Sequence, residues 1–271
     1  MGRETGARMA GPQIKHDDGV IYEQMMGTWS RKVGDVFLDW LKPAADLRWI
    51  DVGCGNGAFT ENLLERCAPA GVLGIDPSDG QLAYARTRPA GRVAQFHKGD
   101  AVALPFAAST FDAAVMALVI FFVPDPAKGV AEMARVVKPG GTVSAYAWDV
   151  FGGGVPIEPI YAEMRAMGLK PVLPPSVDAS RIDALRDLWT NAGLEAVETQ
   201  VISVERTFAD FDDMWTTSVN GSGVVAASIA GMSEADRAAL KARVRARLPA
   251  DASGRITYGA TANAVKGRVP A

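Results

Sequence analysis

A doubly wound α/β fold with an open, mostly parallel sheet follows from three observations. Short β-rich runs alternate with helical patterns through the first half of the chain, and the first run breaks at a glycine turn, Gly53-Cys-Gly-Asn-Gly57. The third observation is length: 271 residues suffice for one large core with a smaller appendage. Hydrophobic residues make up 48% and charged residues 22%, with a net charge of −3, so no global basic field draws in phosphate backbones. Nucleic acid is disfavoured as a partner.

Residues 1 to about 19 mix glycine with charge, show no apolar period and read as a flexible arm, with a single domain over residues 20–271. From Tyr22 to Leu41 the residues Val33, Val36, Phe37, Trp40 and Leu41 recur at helical spacing, and Pro43 stops the pattern. Leu47–Val52 is the first strand and Phe59–Cys67 a helix. Gly71–Asp76, Arg92–His97, a segment within Phe111–Phe122, and Thr142–Trp148 supply the next four strands. Asp79–Arg88 and Lys128–Val137 read as helices between them. Beyond these, Ser180–Ala192 is a helix, and Glu195–Thr207 and Ile256–Val269 are strand candidates. The last two read as an antiparallel pair interrupted by a helical insert at about 208–250.

The longest apolar run, Ala113–Val123, is far short of the roughly 20 residues of a bilayer-crossing helix, and the first eight residues lack a secretory apolar region. The expectation is a cytoplasmic protein without a membrane span. Cys54, Cys67, His16 and His97 are too few for a disulfide framework or a structural zinc site, and no metal is expected.

The chemistry concentrates in Asp51-Val-Gly53-Cys-Gly55-Asn-Gly57. Glycines belong where a strand turns sharply into a helix and a ligand approaches the backbone. They also satisfy the looser dinucleotide fingerprint through Gly53, Gly55 and Ala58, so an NAD(P)-dependent oxidoreductase competes, as does a glycine turn with no ligand. Three acids bear on the choice. Asp51, two residues before the first glycine, can reach an ammonium group or orient the loop, where a pyrophosphate would be repelled. Asp76 closes the second strand, where a carboxylate accepts both hydroxyls of a ribose. Asp100 follows the third strand, in place to accept from an exocyclic amine such as adenine's. One acid at each of three successive strand ends forms a template for amino acid, ribose and base.

These residues, with Trp49-Ile-Asp-Val, Gly74-Ile-Asp-Pro-Ser, Gly99-Asp-Ala, Leu104-Pro-Phe, Phe111-Asp, Glu132 and Arg135-Val-Val-Lys-Pro-Gly-Gly141, resemble the class I S-adenosylmethionine-dependent methyltransferases. The likeness spans about residues 22–206 and is nearest to the type 11/25 group that includes ubiquinone- and menaquinone-biosynthesis methyltransferases. It implies a Rossmann-like seven-stranded sheet of order 3-2-1-4-5-7-6 with the last strand antiparallel and a helical N-terminal cap. It implies S-adenosyl-L-methionine as cofactor. Carried over by residue, Gly53, Gly55 and Gly57 would pass the methionine moiety and Asp51 would support its amino group. Asp76 and Pro77 would sit at the ribose, Asp100 and Ala101 at adenine, and Leu118 beside the cofactor. Tyr22, Trp29 and Arg31 would belong to the cap closing over it.

Such a cofactor carries an activated methyl, so the protein must chiefly align an acceptor and exclude water. Tyr22, Trp29, Phe121 or Phe122, Tyr146 and Trp148 are candidates for cation–π contact with a sulfonium, with core packing as the competing explanation. His97, His16, Glu158 and Asp149 are the candidate bases, and none is assigned. The fourth strand ends Ala117-Leu-Val-Ile-Phe-Phe-Val-Pro-Asp125, without the Asn/Asp-Pro-Pro-Tyr/Phe signature of nucleobase amino-group methyltransferases. Phe121-Phe122 and the aromatic stretch Phe208–Trp215 suggest an apolar acceptor pocket under the insert. The expected function is methyl transfer to an O, N or C atom of a small, partly apolar metabolite. Besides the oxidoreductase, a catalytically silent S-adenosylmethionine-binding partner protein is the alternative.

Overall fold

A computed structural model describes residues 23–219 and 224–271; the expected arm, with His16 and Tyr22, lies outside the described residues. Seven strands form one sheet in the order β3-β2-β1-β4-β5-β7-β6. They are β1 (Arg48–Val52), β2 (Gly71–Asp76), β3 (Gln95–Lys98), β4 (Phe111–Ala117), β5 (Val137–Trp148), β6 (Glu195–Phe208) and β7 (Ile256–Arg268). The first five pair in parallel, and β7 runs antiparallel between β5 and β6. This is the expected order. The order reverses at β1 and β4, so a crevice opens beyond their carboxyl ends, where open sheets bind ligands.

The helices are α1 (Thr28–Leu41), α2 (Ala58–Cys67), α3 (Asp79–Thr87), α4 (Pro126–Val136), α5 (Glu158–Ala166), α6 (Ile182–Asn191), α7 (Phe211–Val219), α8 (Val224–Ile229) and α9 (Glu234–Arg247). Helices on both faces leave the central strands buried: Ile50, Val52, Ala113, Ala114, Val115 and Met116 have no exposed surface. The first helix buries Val33, Phe37 and Leu41 as read from sequence, together with Trp29, whereas Val36 faces outward at 40% exposure and Trp40 is half-buried. Among the described residues no helix is long and apolar enough to cross a membrane.

Several boundaries depart from the sequence reading, each for a local reason. The expected helix from Tyr22 begins as a π-helical turn, Glu23–Gly27, before α1. A Cβ on Gly27 would stand 2.5 Å from the Glu23 carboxylate, so the glycine leaves room for that side chain to fold back. The third strand starts later than Arg92, because Pro89–Arg92 forms a 3₁₀ turn. The fifth starts at Val137 rather than Thr142, with a register shift opposite Phe111/Ala113. The helical pattern over 208–230 resolves into α7 and α8, and α5 lies in a stretch to which the sequence assigned no element.

Buried polar groups tie these layers together. Trp189 of α6 is fully buried and donates from Nε1 to the Val143 carbonyl of β5 at 2.9 Å, and Asn263 donates to the Ser180 carbonyl at 2.9 Å. Replacing Trp189 with Phe keeps much of the apolar volume and removes the donor. The unfolding free energy should fall by about 1–3 kcal/mol; an unchanged urea midpoint would show that the α6–β5 tie carries no stability.

Candidate functional site

The crevice is organised by a carboxylate that the fold buries without fully satisfying. Asp51, in β1, has no exposed surface. Its Oδ2 accepts from Thr60 Oγ at 2.6 Å, while its Oδ1 has no hydrogen-bond partner. Burial pushes its pKa from 3.8 up to about 7, the Thr60 hydrogen bond pulls it down, and the nearby Asp76 charge raises it. A positive group brought to Oδ1 would remove the penalty.

The glycine loop after Val52 folds around a second acid. Gly53 and Cys54 donate their N–H groups to the Ile75 carbonyl at 2.7 and 3.1 Å, which seats the loop on the end of β2. Gly55 N donates to Asp76 Oδ2 at 3.0 Å, and Ser78 N donates to Oδ1 at 2.9 Å. A carboxylate offers about four lone-pair sites, so acceptor capacity remains on both oxygens. Burial raises the Asp76 pKa and these two N–H groups lower it.

The glycines do different work. A Cβ at Gly53 (φ +76°) would lie 2.4 Å from Val119, so packing and backbone together require glycine there. At Gly55 (φ +51°) a Cβ would find only Gln81 Oε1, at 3.9 Å, so this position faces open space. Gly57 is different again. It precedes α2 and packs toward Ala85 and Phe96, both 3.2 Å from a built Cβ, and it does not line the crevice. Cys54 beside it is buried, and burial with the Asp51 and Asp76 charges pushes its thiol well up, which opposes a thiolate role.

The crevice is a cavity of about 530 Å³. It brings together Asp51, Gly53, Gly55, Asp76, Pro77, Asp100, Ala101 and Leu118 from the expected set. Asp100 is exposed, and its Oδ1 accepts from Val102 N at 3.0 Å, which fixes the turn after β3. Leu118 is buried just past β4 in left-handed backbone (φ +63°), held by donation of its N–H to the Tyr146 carbonyl at 2.8 Å. A branched residue there is strained by about 1–3 kcal/mol, the kind of strain that collects at ligand sites.

Two expected residues sit elsewhere. Trp29 is buried away from the cavity lining, with ring centroids 5.4 Å from Tyr258 and 6.4 Å from Phe208. Arg31 points to α2, pairing with Glu65 at 2.8 Å and Glu61 at 3.6 Å, and so anchors α1 rather than reaching the crevice. Tyr22 lies outside the described residues. The N-terminal segment still meets the loop through Glu23, which accepts from Asn56 Nδ2 at 3.0 Å and pairs with Arg88.

Sequence reasoning passed over Ser30, Gln81, Phe59 and Val119, all of which line the cavity. Ser30 and Gln81 carried a usable signal, since each is a polar residue on a buried helix face, beside Val33 and Phe37 or Leu82 and Ala85. The Ser30 Oγ is buried without a hydrogen-bond partner. Of the candidate bases, His97 is exposed within β3, Glu158 pairs with Arg165 and Asp149 accepts from Gly152 N at 2.9 Å; none lines the cavity.

Leu118 and Phe122 also border an adjoining pouch of about 80 Å³, walled by Met25, Met26, Phe121, Trp148, Ile157, Tyr161 and Leu173. The helical insert contributes Val225, whereas Phe208 stacks on Tyr258 and Phe211 on Trp215, outside the pouch. The acid-edged crevice therefore shares a wall with a chamber that is almost wholly apolar.

A family described as "Methyltransferase domain" matches residues 50–145. A demethylmenaquinone methyltransferase of Lactococcus lactis is 30% identical over 173 residues, covering 56% of this chain and 67% of that protein. The 2-methyl-6-phytyl-1,4-hydroquinone methyltransferase 2 of Oryza sativa is 37% identical over 128 residues, covering 45% of this chain. The chain spans about a third (36%) of the rice enzyme's length. Among solved structures, a putative methyltransferase from Bacillus halodurans superposes with a TM-score of 0.58 at 17% identity, covering 88% of this chain and 99% of that one. Phosphoethanolamine N-methyltransferase 2 of Haemonchus contortus, solved with S-adenosyl-L-methionine, gives 0.57 at 17% identity, over 95% of this chain and 58% of that one. At such identities the structures speak to the fold.

The raised pKa of Asp51 has a measurable consequence. Between pH 3.8 and about 7 the folded protein holds a proton that the unfolded chain releases, so stability falls as pH rises across that range and levels off above about 7. From pH 5 to 8 the free protein should lose about 2–3 kcal/mol through this group. Asp51→Asn should lack that loss. Parallel urea titrations of the two proteins at both pH values decide it, and identical pH dependence would contradict the burial of an ionisable Asp51.

Proposed function

This chain belongs to the class I S-adenosylmethionine-dependent methyltransferase family, and we propose that it transfers a methyl group to an O, N or C atom of a small, partly apolar acceptor. The observation that carries this reading is the unpartnered, buried Oδ1 of Asp51, a residue lining a cavity that shares Leu118 and Phe122 with an apolar pouch. S-Adenosylmethionine supplies a methyl group already activated on a sulfonium.

The residues present fit that group. Asp51 supports an amino group, because an ammonium there pairs the orphaned oxygen and compensates the buried charge. The open face of Gly55 leaves room for a ligand against the backbone. Asp76, with acceptor capacity left beyond the two N–H groups it already receives, suits the two hydroxyls of a ribose, with Pro77 beside it. Asp100 and Ala101, past the end of β3, suit an adenine amine, and Leu118 borders both chambers. Gly53 and Gly57 serve by shaping the loop. The pouch aligns the acceptor, and its apolar wall excludes water.

Support for an apolar acceptor comes from the pouch and from relatives named as methyltransferases of 2-methyl-6-phytyl-1,4-hydroquinone and demethylmenaquinone. The insert belongs to the same catalytic unit in this reading, since Val225 helps wall the pouch.

Titration calorimetry with S-adenosylmethionine, S-adenosylhomocysteine and NADH tests the reading. The two adenosyl ligands should bind and NADH should not; binding of NADH alone would favour an oxidoreductase, and silence from all three would leave a protein without this cofactor site. Asp76→Ala should weaken S-adenosylhomocysteine by about 1–3 kcal/mol, through two hydroxyls left unpaired in the cavity. Unchanged affinity would remove Asp76 from the ribose role.

A further inference from the structure

One residue in the wall of the apolar pouch carries a donor that the protein leaves without a partner. Trp148 ends β5, is 4% exposed and lines the pouch, and its Nε1 is buried with no hydrogen-bond acceptor. The other polar side chain in the wall, Tyr161, is engaged: its hydroxyl donates to the Val172 carbonyl at 3.1 Å. Among the described residues the wall contains no carboxylate and no cation. A buried N–H with no acceptor is unfavourable, and native proteins almost always satisfy such groups with protein, water or ligand.

We propose that Trp148 sets acceptor specificity: its indole N–H donates to an oxygen of a neutral, ring-sized apolar molecule seated in the pouch. This rests on the reading of the larger cavity as the methyl-donor site, with which the pouch shares Leu118 and Phe122. Size and charge both constrain the occupant. A buried water takes about 10–15 Å³ of such space, so about 80 Å³ suits a single substituted ring. An ammonium would enter without a carboxylate to meet it, and a phosphate or carboxylate would find one neutral donor and no cation, so the wall selects against both. A phenol, quinol or ketone oxygen needs only what Trp148 offers.

The test uses the ¹⁵N-labelled full chain with S-adenosylhomocysteine present, and p-cresol and p-xylene as matched probes that differ in one hydroxyl. The Trp148 indole resonance is the one lost in Trp148→Phe. Calorimetry on the same samples reports S-adenosylhomocysteine binding separately. Its absence would defeat the methyl-donor reading, whereas probe failure with that ligand bound would defeat only the role of Trp148. The expected result is that p-cresol moves the Trp148 N–H resonance downfield and p-xylene does not, and that Trp148→Phe weakens p-cresol about tenfold while changing p-xylene less than twofold. The proposal is overturned if the resonance ignores p-cresol, if both probes weaken equally, or if neither binds. The resonance is also assigned on the unmodified chain, by triple-resonance and NOE spectra of a ¹³C,¹⁵N-labelled sample, so its shift decides the matter even if Trp148→Phe folds poorly.

Discussion

A carboxylate with no exposed surface and one oxygen unpaired is the constraint around which this molecule is arranged. Free of ligand, Asp51 lies in apolar surroundings near a second acid, and the protein responds by holding its proton up to about pH 7. A fold selected for stability alone would place a hydrophobic residue or a second partner there, because an unsatisfied buried acceptor costs more than an apolar replacement. In the proposed function the cost is offset when a cation arrives. The neighbouring features follow from that need: the loop turns back over Asp76, Gly55 keeps the approach open, and the chain leaves β4 through strained backbone at Leu118.

In the proposed function the two chambers divide the chemistry. The larger is edged by acids and backbone dipoles and suits a polar, partly cationic molecule; the smaller is walled by methionines, phenylalanines and aliphatic residues. Leu118 and Phe122 belong to both, so reactants in the two chambers would meet across these side chains without bulk water between them. The second chamber is assembled from distant parts of the chain: the π-helical turn at Met25 and Met26, the end of β5 at Trp148, the loop at Leu173 and Pro174, and Val225 of the insert. The first depends on the central strands and their loops. On the proposed reading, acceptor range can therefore change through the periphery while the donor side stays fixed.

The donor side was largely legible in the sequence because its signals are local. Acids closing apolar runs and glycines between a strand and a helix are read along a few residues, and they point to Asp51, Gly53, Gly55, Asp76 and Asp100, which do share one cavity. The strand order followed from the resemblance those residues carry. What escaped depends on contacts between distant segments. Trp29 and Arg31 looked like cap residues, but Tyr258, nearly the whole chain away, takes the first, and the acids of α2 take the second. Ser30, between them, reaches the cavity because helical phase puts it on the buried face. The extended start of β5 escaped for a related reason: Lys138-Pro-Gly-Gly141 reads as a stop, yet the sheet absorbs it as an irregularity, with Gly141 close against the Asp112 carbonyl.

The central claim is that the free oxygen of Asp51 exists to meet a cation, and the pH dependence of S-adenosylhomocysteine affinity measures it most directly. An ammonium binds the ionised form, whereas the free protein holds Asp51 protonated below about pH 7. Affinity should therefore rise by up to about tenfold between pH 6 and 7.5, at roughly 1.4 kcal/mol per pH unit below the pKa, and Asp51→Asn should abolish that rise. An affinity equally steep in Asp51→Asn, or flat in the native chain, would contradict the account.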